Sequence, residues 1–407
     1  MDANARELAA TFDIEKLTPE FYADPYPTYR ALREYEPVKL LANGSYFLTR
    51  YDDLVTAYKN TRIFSSDKKK EFAPKYGDSP LYEHHTTSLV FNDPPAHTRV
   101  RRLIMGALSP RAIASMEGDL IALVDGLLDA IAAKRKVDLI DDFAAAIPIE
   151  VIGNLLDVPR EERAPLRDWS LAILGALEPV ISAEAFARGN KAVKDFLGYL
   201  EVLVARRRAK PGNPERDVLT RLIQGEDNGE RLSEKELLHN CIFLLNAGHE
   251  TTTNLIGNGL VALSAHQEQK QRLIEHPDLI KSAVEEILRF ESSNQLGNRI
   301  TTAQVELGGV TLAPGTLVTL CIGAANRDPQ QFPDPESFDI GRTPNRHLAF
   351  GTGAHQCAGM ALARLEGAIA ISRFLARLSR YALQGAPVRG GRARFRGFLR
   401  IPCEVEQ

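Results

Sequence analysis

From Ser233 to about Leu263 the chain keeps a helical pattern with no proline to interrupt it. Ser233 and Glu236 open the run in the spacing of a capping box. About 30 residues of helix span roughly 45 Å, enough to cross a whole domain, so the rest of the chain is expected to pack around this one rod. Helical periodicity recurs at 27–35, 98–108, 112–133, 143–156, 161–175, 183–208, 216–224, 268–275, 278–291 and 358–380. Strand signals are few: 38–41, 46–48, 304–307, 310–312 and 316–321, the later ones separated by Gly308-Gly309 and Pro314-Gly315 turns. With no linker-like segment and no internal repeat, the expectation is one domain over 1–407, mainly α with a small β part.

The middle of the long helix reads Ala247-Gly248-His249-Glu250-Thr251-Thr252-Thr253. Small residues there let a flat group approach the backbone. A glycine followed by hydroxyls that compete for carbonyls points to a local bulge or kink. An acid and an alcohol side by side in an apolar run are costly to bury, which marks Glu250 and Thr251 as functional candidates. His249 answers to no required role and is read as incidental.

A second signal lies far downstream. Phe350-Gly351-Thr352-Gly353-Ala354-His355-Gln356-Cys357-Ala358-Gly359 sets one cysteine in a glycine-rich loop just before the helical run 358–380. A thiol at a helix N-terminus lies among free N–H groups and the positive end of the dipole, which favours the thiolate. Glycines 351, 353 and 359 let backbone pass close to something large and flat. A haem face fits, with Cys357 as the axial iron ligand. A zinc site using His355, Cys357 and His84-His85 has no paired ligand spacing behind it.

Phe350, Gly351, Gly353, His355, Cys357 and Gly359 resemble the haem-binding loop of the cytochrome P-450 superfamily, the haem-thiolate monooxygenases. The resemblance extends from about Asp24 to the C-terminus. It implies a triangular-prism fold with haem b held between the long central helix, at Ala247 and Gly248, and the helix after the cysteine loop. It casts Glu250 and Thr251 as the acid–alcohol pair that delivers protons during oxygen activation.

His97 and Arg101 are i,i+4 neighbours on one helical face, and arginine can grip a carboxylate bidentately. With the resemblance, His97, Arg101, Arg299 and His355 become the expected partners of the haem propionates. Glu286 and Arg289, three apart on a helix, can pair. The family pattern adds Arg342 to make a buried structural network. Expected pocket residues are Phe243, Leu244, Ala247, Gln295, Leu296 and Phe395, with the loop 68–90, the region 165–190 and the segment 292–298. The amides and hydroxyls of that last segment either face the pocket, which implies a partly polar substrate, or cap the helix and bond to the haem propionates or local backbone.

Lys68-Lys69-Lys70 reads as a solvated loop, Arg206-Arg207-Arg208 as a helix end, and the Gly/Arg-rich 389–400 as a closing β-hairpin. The formal net charge of -3 offers no general attraction to nucleic acid or anionic membrane. Residues 1–11 lack the apolar core of a signal peptide, and no run reaches ~18 apolar residues. The four cysteines stand far apart, as in a reducing cytoplasm. The resemblance is thus to the soluble bacterial branch of the superfamily. The expected reaction is hydroxylation of a small organic substrate by O₂, with electrons from a separate ferredoxin and its NAD(P)H-dependent reductase. A peroxygenase using hydrogen peroxide, or a haem-binding sensor or carrier, are the alternatives.

Overall fold

The computed structural model describes residues 2–214, 217–225, 229 and 231–406. Its axis is the helix Glu234–Ala265, 32 residues long. The capping box is formed: Ser233 Oγ accepts from Glu236 N–H, and the Glu236 carboxylate accepts from Ser233 N–H at 2.9 Å. Leu237, Cys241, Leu245, Ile256, Leu260 and Leu263 are all buried, so this helix is wrapped rather than laid on a surface. Around it pack Ala146–Leu155, Leu166–Gly175, Ala183–Ala209, Ile280–Phe290 and Met360–Arg377. Their apolar faces join it in one large core.

The expected bulge is absent. Thr251 and Thr253 donate their hydroxyls to the carbonyls of Ala247 (2.7 Å) and His249 (3.0 Å), yet the helix is continuous. A carbonyl has two lone pairs and can serve both the hydroxyl and the i+4 N–H.

The β part is small, as expected. A five-stranded sheet has the order Val38–Leu40, Tyr46–Leu48, Leu317–Cys321, Leu296–Thr301, Phe64–Ser65. Tyr46 pairs in parallel with Val318, and Leu296 pairs antiparallel with Cys321. This register carries 296–299 past the cysteine loop's side of the core. Lys136–Asp138, Pro402–Glu406 and Arg380–Leu383 form a second sheet. Val388–Arg389 and Phe398–Arg400 close the expected hairpin. It is held by its arginines: Arg396 donates to Tyr22 O (3.0 Å) and Ala23 O (2.9 Å) and pairs with Glu291.

Several boundaries differ from the sequence reading. The segment 68–90 is mostly helical, as Lys69–Tyr76 and Pro80–Thr87. Ser79 caps the second, with Pro80 at its first position. The run 112–133 is two helices, Pro110–Ser115 and Glu117–Lys134. The helix Tyr51–Lys59 and the strand Leu296–Thr301 carry too weak a period to be foreseen. Residue 216, the start of the expected helix 216–224, lies outside the described residues; the helix there is Val218–Gln224. Among the described residues no helix is long and apolar enough to cross a membrane.

Glu286, Arg289 and Arg342 meet in the core. Glu286 and Arg289 are fully buried, and the carboxylate accepts Arg289 Nε and Nη2 at 2.8 Å each and Arg342 Nε at 3.2 Å to either oxygen. Arg289 also donates to the carbonyls of Asn326 (3.0 Å), Pro335 (2.8 Å) and Ser337 (2.9 Å). The network thereby pins the irregular chain that leads into the cysteine loop.

Candidate active site

A cavity of about 370 Å³ opens between the central helix and the loop before Met360–Arg377. Cys357 lines one side. The opposite side is made by Phe243, Leu244, Ala247, Gly248 and Thr251, all on the central helix.

The loop geometry follows from its glycines. Gly351 and Gly353 sit at φ +61° and +75°, backbone that favours glycine. A Cβ at Gly353 would also come 2.8 Å from Tyr58 O. Gly351 N–H donates to Leu348 O (2.8 Å) and Cys357 N–H to Phe350 O (2.9 Å), which folds the loop back on itself. At Gly359 a Cβ would meet nothing within 4 Å. The helix itself begins at Met360, so Cys357 stands ahead of it.

Burial pushes the Cys357 thiol up, against the pull of Gly359 N–H, Arg101 and Arg364. The dipole argument for a free thiolate is therefore outweighed by desolvation until a cation arrives to compensate. Arg364 is held by Glu285 (2.6 and 2.8 Å) and lies 4.7 Å from the centre of the Phe350 ring.

The four expected propionate partners come together at this cavity: His97, Arg101, Arg299 and His355 all line it. The His97 and His355 rings lie 3.9 Å apart between centroids. Neither ring nitrogen of His97, nor His355 Nε2, nor Arg299 Nε has a hydrogen-bond partner among the described residues. Arg101 donates to Gln356 O (2.6 Å). Buried donors left unsatisfied in a native fold call for a partner. A soft sulfur ligand beside an edge of two guanidinium and two imidazole groups fits a haem with two carboxylates. No metal-holding cluster of His, Cys, Asp or Glu occurs among the described residues, and no zinc site forms from His84, His85, His355 and Cys357.

Three expectations need correction. Glu250 and Thr251 are sequence neighbours but not site neighbours: Thr251 lines the cavity, whereas Glu250 faces a separate small cavity with His249 and Arg392. Successive helical residues diverge by about 100°. Glu250 Oε1 accepts from Arg392 Nη1 at 2.5 Å, and burial raises its carboxyl to about 7 against that pull. His249 is buried beside it, and neither ring nitrogen has a hydrogen-bond partner among the described residues. The room left by Gly248 is taken by Ile152, whose Cδ1 would lie 2.1 Å from a Cβ there.

Gln295 is turned out of the pocket wall, donating to Ser292 O (2.7 Å) and Tyr26 Oη (3.4 Å). The irregular chain before the strand Leu296–Thr301 turns Gln295 away and leaves Ser293, Asn294 and Leu296 on the cavity. Phe395 reaches the cavity from the hairpin through an isolated bridge to Asn294.

From the segment 68–90, expected at the pocket, Lys68, His84 and His85 line the cavity. Asn246 and Thr252 line it too, without having carried a sequence signal. Lys68 was read as one of three solvated lysines; Lys69 and Lys70 are exposed, but Lys68 is buried.

A family model described as Cytochrome P450 matches residues 169–389. A Bacillus subtilis protein named biotin biosynthesis cytochrome P450 is 37% identical over 362 residues, 88% of this chain and 90% of that one. Vitamin D(3) 25-hydroxylase of Pseudonocardia autotrophica is 38% identical over 360 residues, 88% of this chain and 87% of its own. Among solved structures, P450BioI, in complex with acyl carrier protein carrying hexadec-9Z-enoic acid, superposes with a TM-score of 0.90 at 36% identity, covering 95% of this chain and 99% of that one.

Proposed function

Since this chain belongs to the cytochrome P450 family, we propose that it inserts one oxygen atom of O₂ into an unreactive carbon of an organic substrate. The second atom leaves as water, with two electrons delivered from NAD(P)H through a separate ferredoxin and its reductase. The residues 1–407 act as one domain, and the four free cysteines suit a reducing cytoplasm. The observation that carries the reading is the convergence on one cavity of Cys357, Thr251, and His97 ring nitrogens and an Arg299 Nε that have no hydrogen-bond partner among the described residues.

Cys357 would hold the iron through sulfur, and His97, Arg101, Arg299 and His355 would hold the two propionates of haem b. Bound there, the haem supplies the iron at which O₂ is reduced and cleaved. Arg101 and Arg364 stabilise negative charge on the sulfur, as their field on the thiol indicates. On the opposite wall, Thr251 directs a proton through its hydroxyl. Its bond to Ala247 O fixes where the oxygen sits and leaves a lone pair toward the cavity. Glu250, near neutrality at about 7, is suited to pass protons inward. To reach Thr251 its carboxyl rotates off Arg392 or hands on the proton through water. Phe243, Leu244, Leu296 and Phe395 exclude water and hold the substrate's apolar body.

The test is spectroscopic. The reduced, CO-treated protein is expected to show the strongly red-shifted Soret band of thiolate ligation, and Cys357→His is expected to lose it while retaining haem. A thiolate-type band that persists in Cys357→His defeats the assignment.

A further inference from the structure

Lys68 is an ammonium buried in the cavity wall, where lysine is rare unless it has a task. It lies at the start of the helix Lys69–Tyr76, and its Nζ is 2.7 Å from Glu71 Oε2. The pair is not aligned as a hydrogen bond, and neither atom has another partner among the described residues. An ammonium carries three donors. Two residues earlier, Ser66 also lines the cavity and is buried, and its Oγ has no hydrogen-bond partner among the described residues.

The charged groups acting on Lys68 are Glu71 and two arginines, Arg299 and Arg394. Arg394 is held by uncharged oxygens: Leu177 O (3.0 Å), Leu296 O (2.8 Å) and Asn298 Oδ1 (2.5 Å). Even with Arg299 committed to a propionate, three cations, Lys68, Lys75 and Arg394, stand against two carboxylates, Glu71 and Glu178, the latter accepting from the Arg394 backbone N–H at 3.2 Å. The potential at this end of the cavity is positive, and burial strengthens it. The surrounding wall is largely apolar, with Phe72, Leu89, Phe91, Leu174 and Phe243 lining the same cavity as Lys68 and Thr251.

We propose that the substrate is an organic acid whose carboxylate is bound by Lys68 and Ser66, with its apolar body laid along that wall toward Thr251. This rests on the monooxygenase reading and narrows it. A carboxylate offers acceptor oxygens both to the Ser66 hydroxyl and to the ammonium donors that Glu71 leaves free, and its charge meets a cavity end richer in cations than in carboxylates, whereas a neutral carbonyl gains only the weaker hydrogen bond. Oxidation then falls on a carbon remote from the acid group, because the acid end is anchored away from the reacting end. Lys68 is a specificity-determining residue here, not a catalytic one.

The experiment uses the haem-loaded protein and isothermal titration calorimetry at pH 7, so that binding is read independently of turnover. Three matched pairs serve as probes: myristic acid, deoxycholic acid and abietic acid, each against its methyl ester. At least one acid is expected to bind roughly tenfold or more tightly than its ester, the scale of a charge-assisted hydrogen bond. Lys68→Gln should erase that preference and Lys68→Arg should keep it. Ser66→Ala, which leaves the ion pair intact, should weaken it by a smaller factor.

Esters that bind as well as their acids in all three pairs overturn the proposal. So does an acid preference that survives Lys68→Gln. If that variant instead sheds haem on gel filtration while preferring acids as before, Lys68 belongs to the propionates and the proposal fails. The reduced CO spectrum of each sample reports separately on Cys357: loss of the band in wild type, with the acid preference intact, defeats the proposed function alone.

Discussion

Replacing Glu286 with glutamine tests the buried network by removing one charge and almost no volume. The carboxylate accepts Arg289 Nε and Nη2, Arg342 Nε at both oxygens, the Asp339 N–H at 2.9 Å and Asn345 Nδ2 at 3.1 Å. Glutamine retains one acceptor oxygen and puts two N–H donors where two arginines now point theirs. Arg289, fully buried, then keeps its three carbonyl contacts but has no counter-charge. Breaking a buried pair from one side costs about 3–5 kcal/mol, against a total stability of about 5–15 kcal/mol for a folded domain. Glu286→Gln should therefore lose a large fraction of the folding free energy.

The assay is urea unfolding of the haem-loaded protein, followed by far-UV circular dichroism and Soret absorbance together, with the shift in midpoint read at constant m. The two probes should part company. The Soret signal is expected to move first, because the network pins the chain entering the Cys357 loop. Arg342→Lys, at the more open edge of the network, should cost less. A Glu286→Gln midpoint within about 1 kcal/mol of wild type would refute the reasoning. It would show that the neighbouring carbonyls neutralise Arg289 without the carboxylate.

Thr251→Ala should bind substrate and consume reductant as before, but yield of product per reductant should fall roughly tenfold or more, with hydrogen peroxide taking up the difference; unchanged coupling would give the role to another group. Because burial raises Glu250 to about 7, its protonated fraction falls as pH climbs through 7. Coupled turnover should decline above that point, and Glu250→Gln should slow turnover while removing this limb. A limb at the same pH in the variant contradicts the assignment. Glu366 is buried, its Oε2 has no partner among the described residues, and burial raises it to about 8. A carboxyl raised on folding costs nothing below its unfolded value of 4.5 and progressively more as pH rises through 8. Glu366→Gln should accordingly gain stability over wild type with rising pH, by at most roughly 1.4 kcal/mol per unit across that window; a pH-independent difference in urea midpoint between pH 5 and 9 would count against it.

What the chain declares by itself is local and covalent in reach. The capping box at Ser233 and Glu236 lies within one turn, so spacing alone placed the start of the central helix. The turn of 351–353 needs residues that accept positive φ, and glycines stand there. Cys357 could be singled out because its neighbours in sequence are also its neighbours in space. Glu286 and Arg289 pair for the same reason, three residues apart on one helix.

Only the tertiary structure decided the rest, where two positions adjacent in sequence meet different surroundings. Helix geometry sends Thr251 to the large cavity and Glu250 to Arg392, a residue 142 positions away. The irregular chain entering the strand Leu296–Thr301 does the same to Leu296 and Gln295. Three consecutive lysines look alike as letters, yet Lys69 and Lys70 are solvated while Lys68 is enclosed. Sequence spacing reports which groups can share a face. It does not report what that face packs against, because burial and electric field are set by chain segments hundreds of residues away.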